Sequence, residues 1–155
     1  NILEIGSAIG YSAIKMALVS NDIKVTTIER DEKRYNVAVE NIEKFNLSDR
    51  INISLGDALD TVIEGEYDLI FIDASKGNNI NFFNKYSKNL GKDGIIVTDN
   101  LLFHGCVENS EGQSKNVKNM VKKIDAYNNF LTNHQDFDTV FIDTGDGLAI
   151  TSRRN

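Results

Sequence analysis

Carboxylate and amide side chains follow two short apolar segments of the sequence, at the points where these segments end. Asp73 comes directly after residues 69–72, and Asp99 and Asn100 come just after residues 95–97. If the segments are neighbouring parallel strands, these side chains meet at one edge of a sheet. Two carboxylates and an amide oxygen suit Mg²⁺ or another divalent cation, with water completing the shell. The alternative for Asp99-Asn100 is a simple turn, so the metal site depends on Asp73 lying opposite.

Lys76 follows Asp73 by three residues and is the candidate proton acceptor at this edge. A nearby cation favours the neutral form of a lysine that points into the same cleft, and a neutral lysine can act as a general base. A lone loop lysine is otherwise solvated. The prediction therefore depends on the neighbouring carboxylates.

A glycine-containing loop, Gly6-Ser-Ala-Ile-Gly10, follows the first apolar segment, which contains Glu4. Glycine permits backbone turns that other residues avoid and lets a ligand approach the chain closely. Three residues separate the two glycines, so the loop is not the G-x-G-x-x-G fingerprint of dinucleotide-binding proteins. The loop indicates either a ligand site or only a turn.

Acidic residues also end the second and third predicted strands. Glu29 is placed to accept both hydroxyl hydrogens of a ribose, as in nucleotide-binding α/β folds, or to be a solvated acid at a helix start. Asp57, followed by Ala58, is placed either to receive an adenine amino group or to cap a helix.

Two alternating kinds of segment would position these side chains. Apolar or β-rich segments predict strands at residues 1–5, 24–29, 51–55, 69–72, 95–97, 137–142 and 148–151. Helical spacing predicts helices at residues 11–19, 31–45, 80–90 and 114–133, and a short helix after Asp57. The alternation predicts a doubly wound, mainly parallel α/β sheet of seven strands. The glycine-rich turn at residues 143–147 makes the last strand antiparallel.

Composition narrows the class of protein. At 155 residues the chain is one domain, and no apolar run approaches the length of about 18 residues needed for a membrane span. The net charge is −6, which argues against nucleic acid as a partner unless the chain carries a local basic patch. Cys106 is the single cysteine, so no internal disulfide forms, and we expect a cytoplasmic protein. Because the chain opens on a strand without Met, we expect an N-terminal part to be missing.

Some residues have weaker patterns. His104 and Cys106 have the spacing of a zinc pair, but there is no second pair, so zinc is not expected. A basic helical face is formed by Lys115, Lys118 and Lys122, and its default interpretation is a solvated surface. Arg153 and Arg154 at the chain end are expected to extend it.

Five motifs follow one another along the chain: Glu4-Ile-Gly-Ser-Ala-Ile-Gly-Tyr-Ser12, Thr27-Ile-Glu-Arg30, Tyr67-Asp-Leu-Ile-Phe-Ile-Asp-Ala74, Val97-Thr-Asp-Asn100 and Gly145-Asp-Gly-Leu148. Their order resembles that of metal-dependent O-methyltransferases, the family that includes catechol and caffeoyl-CoA O-methyltransferases. The sequence resembles this family over essentially its whole length. Residues 99–105 and 122–128 resemble most the bacterial tRNA 5-hydroxyuridine methyltransferase branch.

The resemblance implies a Rossmann-like, class I S-adenosylmethionine (SAM)-dependent methyltransferase and assigns roles to individual residues. The implied cofactor-binding residues are Glu4, Gly6, Ser12, Glu29, Asp57, Ala58 and Asp73. Within this set Gly6 and Ser12 line the methionine part, Glu29 holds the ribose, and Asp57 and Ala58 border the adenine. The implied metal ligands are Asp73, Asp99 and Asn100, and Lys76 is the implied catalytic lysine.

The resemblance also implies a homodimer whose N-terminal helices contribute to substrate binding, and this sequence lacks those helices. The implied acceptor is 5-hydroxyuridine in tRNA, methylated to 5-methoxyuridine, or a small hydroxylated aromatic compound such as a catechol. The acidic net charge fits tRNA poorly. Two alternatives of other classes remain: a nicotinamide-dependent oxidoreductase and a non-catalytic nucleotide- or RNA-binding module.

Overall fold

The computed structural model describes residues 1–101 and 114–154, in which seven strands form one sheet flanked by four α-helices. The strands are β1 (Ile2–Ile5), β2 (Val25–Glu29), β3 (Ile51–Leu55), β4 (Tyr67–Ile72), β5 (Leu90–Asp99), β6 (Phe137–Ile142) and β7 (Leu148–Arg153). The helices are α1 (Tyr11–Ala17), α2 (Glu32–Lys44), α3 (Asn79–Tyr86) and α4 (Lys115–Thr132). Two 3₁₀ turns lie at Lys76–Asn78 and Ser87–Asn89.

The strand order is β3-β2-β1-β4-β5-β7-β6, which confirms the predicted doubly wound sheet. Strands β1 to β5 pair in parallel, and β7 is antiparallel to both of its neighbours, β5 and β6. The order reverses direction between β1 and β4, because the chain first builds outward to β3 and then crosses back. Ligands of open α/β sheets bind in the crevice at such a reversal, outside the carboxyl ends of the strands.

Side-chain alternation along the strands separates two hydrophobic cores. Ile2 of β1 packs with α1 and with Ile42 of α2 on one face. Its neighbour Leu3 packs on the other face with Phe83 of α3 and Tyr127 of α4. Successive residues of a strand point to opposite faces, so a sheet covered on both sides needs apolar residues at both. This explains the unbroken apolar segments at residues 69–72 of β4 and 95–97 of β5.

The helix boundaries follow from capping residues. Asp31 accepts a hydrogen bond from the Arg34 N–H at 2.9 Å and begins α2, as predicted. Ser114 accepts from the Val117 N–H at 3.4 Å and begins α4. Such caps satisfy backbone donors that have no partner inside the helix.

The predicted short helix after Asp57 is wrong, because the chain makes only a single turn there. Thr61 donates its backbone N–H to the Asp57 carbonyl at 2.8 Å, and no further turn follows. The carbonyls needed for the next turn are already used by other donors. Tyr86 Oη donates to the carbonyl of Ala58 at 2.6 Å, and Lys85 Nζ donates to that of Leu59 at 2.5 Å. The competing side chains of α3 therefore end the helix before it can propagate.

Strand β5 is longer than the predicted strand at residues 95–97. Helix α3, which ends at Tyr86, is shorter than the predicted helix at residues 80–90. Residues between Leu90 and Ile95 interrupt the pairing, since Tyr67 pairs with Leu90 while Leu69 pairs with Ile95. The sequence pattern therefore predicted only the regularly paired part of this strand. The helix gives way to a 3₁₀ turn where Asn89 Nδ2 donates to the carbonyls of Ile63 and Gly65.

Among the residues described here, no helix is long and apolar enough to cross a membrane. The predictions made for His104 and Cys106 concern residues outside the described ranges.

Candidate functional site

A cavity of about 490 Å³ opens at the carboxyl ends of β1, β2, β3 and β4, where the strand order reverses. Six of the seven predicted cofactor-binding residues line it: Gly6, Ser12, Glu29, Asp57, Ala58 and Asp73. The seventh, Glu4, is not in the cavity wall. The fold thus brings together residues that are up to 67 positions apart in the chain.

Gly6 forms the point where the loop after β1 touches the end of β4. Its φ is +101°, a backbone conformation that side chains with a Cβ rarely adopt. A Cβ at this position would lie 2.6 Å from the Asp73 carbonyl oxygen. Glycine is therefore required both by the turn and by the close approach of the two backbones.

Glu29 is almost fully buried at the end of β2, and its carboxylate organises the loop as well as facing the cavity. One oxygen accepts from the Ala8 N–H at 2.7 Å, and the other accepts from the Asp31 N–H at 2.8 Å. Each carboxylate oxygen has a further lone pair, so both remain able to accept from ribose hydroxyls. Sequence reasoning predicted the ribose role but missed the support that Glu29 gives to the loop at Ala8.

Glu4 lies beneath the cavity, fully buried in β1. Its carboxylate accepts hydrogen bonds from Ser12 Oγ and, at 2.5 Å, from Thr27 Oγ1. Burial raises the pKa of Glu4 above its ordinary value, and the two hydroxyl donors partly oppose this shift. The geometry gives Glu4 an indirect place in the site, because the residue it holds, Ser12, lines the cavity.

Asp57 and Ala58 form the wall at the end of β3. Asp57 Oδ1 accepts from the Leu59 N–H at 2.8 Å, so this side chain stabilises a turn and does not cap a helix. Tyr86 Oη donates to the Ala58 carbonyl at 2.6 Å and to the Thr61 carbonyl at 3.1 Å. Burial raises the pKa of Tyr86 to about 12, so its phenol stays a donor across the neutral range.

Several residues of the cavity wall were not predicted. Ser7, Arg30, Arg34, Asn78 and Phe82 all line the cavity. Arg30 adjoins Glu29 in sequence, and that adjacency was the one signal that pointed to it. Phe82 comes from helix α3, and nothing in the helical pattern of residues 80–90 marked it as part of a site.

A second group of polar residues lies beside the cavity, at the ends of β4 and β5. Lys76 Nζ is 2.9 Å from Asp73 Oδ1, and the lysine side chain is only 13% exposed. The 3₁₀ turn that begins at Lys76 directs the lysine back toward the end of β4. The structure therefore places Lys76 against a predicted metal ligand, as its sequence spacing suggested.

Asp99 and Asn100 lie at the end of the neighbouring strand. Ile72 pairs with Thr98 in the parallel register of β4 and β5, so Asp73 and Asp99 are the next residues on adjacent strands. Asn100 donates its backbone N–H to Asp99 Oδ1 at 2.7 Å and its side-chain Nδ2 to Asp99 Oδ2 at 2.8 Å. Asn100 has φ +65°, a conformation that asparagine tolerates better than most residues.

The donor set suits a hard divalent cation. Asp73, Asp99 and Asn100 offer two carboxylates and an amide oxygen, the ligand chemistry of Mg²⁺. Within the described part of the chain, no group of three or more His, Cys, Asp or Glu side chains is arranged to hold a metal ion. The candidate set therefore depends on the amide of Asn100 and on water for its remaining ligands.

The reversed strand order, the glycine loop and the buried acid ending β2 define a Rossmann-like fold of the class I methyltransferase type. The chain belongs to the O-methyltransferase family, whose sequence profile matches residues 1–154. It is a SAM-dependent O-methyltransferase. Family membership rejects the two alternatives of other classes, a nicotinamide-dependent oxidoreductase and a non-catalytic binding module.

Comparison with individual proteins supports the same family. Catechol O-methyltransferase of Niastella koreensis is 37% identical over 120 residues, covering 71% of this chain and 54% of the relative. A candidate caffeoyl-CoA O-methyltransferase from Staphylococcus aureus superposes with a TM-score of 0.95 at 42% identity, over 99% of this chain and 76% of that one. The O-methyltransferase of Bacillus cereus, solved with S-adenosylhomocysteine (SAH), has a TM-score of 0.86 at 31% identity, over 99% and 74%.

Replacing Glu29 tests the predicted ribose contact. We expect Glu29→Ala to weaken SAM binding by about ten- to a hundredfold, because charge-assisted hydrogen bonds of roughly 1.5–3 kcal/mol are lost. The loop at Ala8 also loses a partner, so part of the effect comes from loop disorder. Titration calorimetry measures the affinity, and Glu32→Ala, an exposed acid in the first turn of α2, is the matched control. Equal affinity of Glu29→Ala and the parent would refute the assignment.

Proposed function

We propose that this protein methylates 5-hydroxyuridine in tRNA to 5-methoxyuridine, with SAM as methyl donor and a divalent cation as cofactor. The observation that carries the acceptor proposal is the position of helix α4, whose basic first turns extend beyond the edge of the sheet that carries Lys76. The resemblance of residues 99–105 and 122–128 to the tRNA-modifying branch supports the same acceptor.

The chemistry follows from the residues at the strand ends. SAM supplies a sulfonium methyl group, and a divalent cation held by Asp73, Asp99 and Asn100 would supply positive charge that acidifies an acceptor hydroxyl. Lys76, whose Nζ lies 2.9 Å from Asp73 Oδ1, would take the hydroxyl proton, so that the oxygen can attack the methyl group and SAH can leave. The cavity wall would hold the cofactor beside this edge, and such positioning can supply effective molarities of about 10⁵ M or more.

The acceptor must present two adjacent oxygens to this edge. In 5-hydroxyuridine these are the 5-hydroxyl and the 4-carbonyl oxygens, and in a catechol they are the two hydroxyls. The donor set at Asp73, Asp99 and Asn100 therefore supports the reaction type equally well with either acceptor. The choice between them depends on the surface around the site.

Helix α4 forms part of that surface. It returns the chain from the carboxyl end of β5 toward the start of β6, so its first residues lie at the reactive edge. The Tyr127 hydroxyl lies 2.9 Å from Thr98 Oγ1, and Lys123, one turn earlier, lies against Gly77. Lys115 is eight residues before Lys123, which at a rise of 1.5 Å per residue is about 12 Å further out. The first two turns of α4 therefore project past the site.

This projecting end of the helix is strongly basic. Lys115, Lys118 and Lys122 are exposed along it, and the first acidic residue of α4 is Asp125. An RNA that brings its base to the strand ends would meet these lysines with its phosphates. The local charge is thus opposite to the net charge of −6 and favours a polyanionic acceptor.

The prediction that Arg153 and Arg154 extend this basic surface is wrong. Strand β7 runs antiparallel to β5 and carries the chain end to the opposite edge of the sheet. There Arg153 donates to the carbonyls of Ser87 and Leu90, and Arg154 pairs with Asp138 at 2.8 Å. The direction of β7 decides where these two arginines lie, and the sequence alone did not show that β7 leads away from the site.

A triple alanine variant of Lys115, Lys118 and Lys122 tests the tRNA proposal. We expect it to lose most methylation of hydroxyuridine-bearing tRNA, and the log–log salt slope of tRNA binding to fall by up to about three units. Activity on a small catechol should be unchanged, because these lysines lie beyond the reacting residues. Filter binding across a salt series and methyl-transfer assays measure both effects.

The matched control replaces Lys24, Lys44 and Lys92, three exposed lysines outside α4, and removes the same charge. It should leave tRNA methylation near the parent level. If both triple variants behave like the parent, the basic end of α4 is only a solvated surface. If both lose tRNA binding equally, the effect comes from net charge and not from α4.

Methylation of a small hydroxylated aromatic compound is the second candidate function. The catechol O-methyltransferase of N. koreensis is 37% identical to this chain, and the acidic net charge favours a small acceptor. Efficient turnover of catechols by a protein that ignores hydroxyuridine-bearing tRNA would favour this function over the first.

A further inference from the structure

We propose that Lys123 is a specificity-determining residue that binds an anionic group of the methyl acceptor next to the reacting oxygens. The inference depends on the proposed reaction at the ends of β4 and β5 but not on whether the acceptor is a nucleotide or a catechol. It differs from the tRNA proposal because it concerns a single contact beside the site, which a small acceptor can also make.

The contact of Lys123 with Gly77 places its ammonium beside the turn that carries Lys76. A Cβ built on Gly77 would lie 3.0 Å from Lys123 Nζ and 3.3 Å from its Cδ. Gly77 stands between Lys76, which pairs with Asp73, and Asn78, which lines the cofactor cavity. The lysine therefore reaches across from α4 to the residues that face both the acceptor and the cofactor.

The next turn of helix α4 fixes the position of Lys123 relative to the end of β5. Tyr127 follows Lys123 by four residues, is buried, and has its hydroxyl 2.9 Å from Thr98 Oγ1. Thr98 precedes Asp99, and Lys123 lies four residues, or about 6 Å, nearer the start of α4 than Tyr127, which brings it level with the end of β5. Two separate contacts, one to β5 and one to Gly77, thus fix the height and the side of the helix on which this lysine acts.

Among the residues that the structure describes, no acidic side chain pairs with Lys123. Over residues 1–101 and 114–154, no carboxylate lies within salt-bridge distance of its Nζ, whereas Lys76 is paired with Asp73. Within the described residues, Lys76 is thus paired with a carboxylate at this edge, whereas Lys123 is not. An ammonium in this position attracts an anionic oxygen of the molecule that enters the site.

Two sources of such an oxygen fit the acceptors proposed above. In a nucleotide it is the phosphate next to the hydroxylated base, and in a small aromatic acceptor it is a carboxylate on the ring. The chemistry is the same in both, an anionic oxygen held a short distance from two adjacent reacting oxygens. Lys123 would then make the enzyme prefer the charged member of any matched pair of acceptors.

The test compares charged and neutral acceptors in two pairs, using the full-length protein with Mg²⁺. One pair is 5-hydroxyuridine 5′-monophosphate and 5-hydroxyuridine, and the other is 3,4-dihydroxybenzoate and catechol. Calorimetry gives the Kd of each compound in the presence of SAH, and steady-state assays with SAM give kcat and KM. We expect the parent to prefer the charged member of at least one pair and Lys123→Ala to lose roughly tenfold in affinity for it.

In Lys123→Ala, the affinity for neutral acceptors and the value of kcat should change by less than about twofold, since Lys123 is not required for the transfer step. Lys123→Arg should restore most of the preference, and Lys92→Ala, which removes the same charge from an exposed lysine outside α4, should match the parent. A parent that binds no charged acceptor better than its neutral partner would overturn the proposal. So would equal losses for charged and neutral acceptors in Lys123→Ala. A preference in the catechol pair only would sustain the role of Lys123 and favour a small aromatic acceptor over a nucleotide as the molecule that it binds.

Discussion

Asp99→Ala is expected to lower kcat/KM for methyl transfer by at least about a hundredfold while leaving SAM affinity within about threefold of the parent. Asp99 supplies one of only two carboxylates in the proposed cation site, and losing a ligand removes the charge that acidifies the acceptor hydroxyl. Asp99 does not line the 490 Å³ cavity, so the cofactor contacts survive. Calorimetry with SAM and a methyl-transfer assay on the same preparation separate the two effects.

Removal of the metal from the parent enzyme should have the same effect as Asp99→Ala, a loss of methyl transfer with SAM binding retained. EDTA followed by dialysis should abolish most activity, and added Mg²⁺ should restore the parent but not Asp99→Ala. Ca²⁺ should support turnover poorly, because its coordination is larger and less regular. Asp93→Ala, an exposed acid on the same strand, is the charge-matched control and should stay fully active. Full activity of the dialysed parent in EDTA would reject the metal site altogether.

Gly6→Ala is expected to abolish detectable SAM binding and to destabilise the fold. A Cβ would be forced to within 2.6 Å of the Asp73 carbonyl oxygen, and at φ +101° the residue would also be strained by about 1–3 kcal/mol. Relief requires the loop after β1 to move away from β4. That movement displaces Asp73, which lines the cavity and pairs with Lys76, so cofactor binding and activity fail together.

Gly65→Ala separates strain from the steric clash. Gly65 has φ +92°, close to that of Gly6, but a Cβ there would meet no atom within 4 Å. Gly65→Ala should lower the free energy of unfolding by about the strain energy expected for Gly6→Ala, and it should leave SAM binding intact. Thermal unfolding and calorimetry of both variants measure the two effects. SAM binding by Gly6→Ala at the parent's affinity would show that the approach of the loop to β4 is not required.

The sequence was most informative about elements with a regular pattern. The apolar segment of β4 and the capping acid Asp31 each predicted an element that the structure confirms. The doubly wound, mainly parallel sheet followed from general rules for alternating strands and helices, whereas the full strand order came only from the structure. Local patterns were misleading where a distant side chain decides the outcome, as at Ala58, whose carbonyl is taken by Tyr86 across 28 residues.

The candidate site was predictable because parallel strands place their last residues at one edge. Knowing only that Asp73 and Asp99 end two strands was enough to predict their proximity once the strands were taken as neighbours. The role of Glu4 was harder to predict, because the sequence pattern of an acid inside a strand is the same whether it faces a ligand or a buried hydroxyl. Its contacts with Ser12 and Thr27 depend on the packing of α1 and β2, which no local pattern encodes.

The position of Lys123 was not predictable for a related reason. Its spacing placed it near the other lysines of α4, and only the packing of α4 on the turn at Gly77 distinguishes it from Lys122. Arg153 shows the converse, since a basic residue near the chain end is carried away from the site by an antiparallel strand. Charge patterns identify candidate surfaces, but helix rotation and strand direction decide which residues reach the site.

Nucleoside mass spectrometry of tRNA tests the central claim most directly. Hydroxyuridine-bearing tRNA is incubated with the full-length protein, Mg²⁺ and SAM carrying a deuterated methyl group, and then digested to nucleosides. The account predicts 5-methoxyuridine with the full mass of the labelled methyl, formed at the expense of 5-hydroxyuridine and absent with EDTA or Asp99→Ala. Unchanged 5-hydroxyuridine, in a reaction where the same preparation methylates catechol, would contradict it.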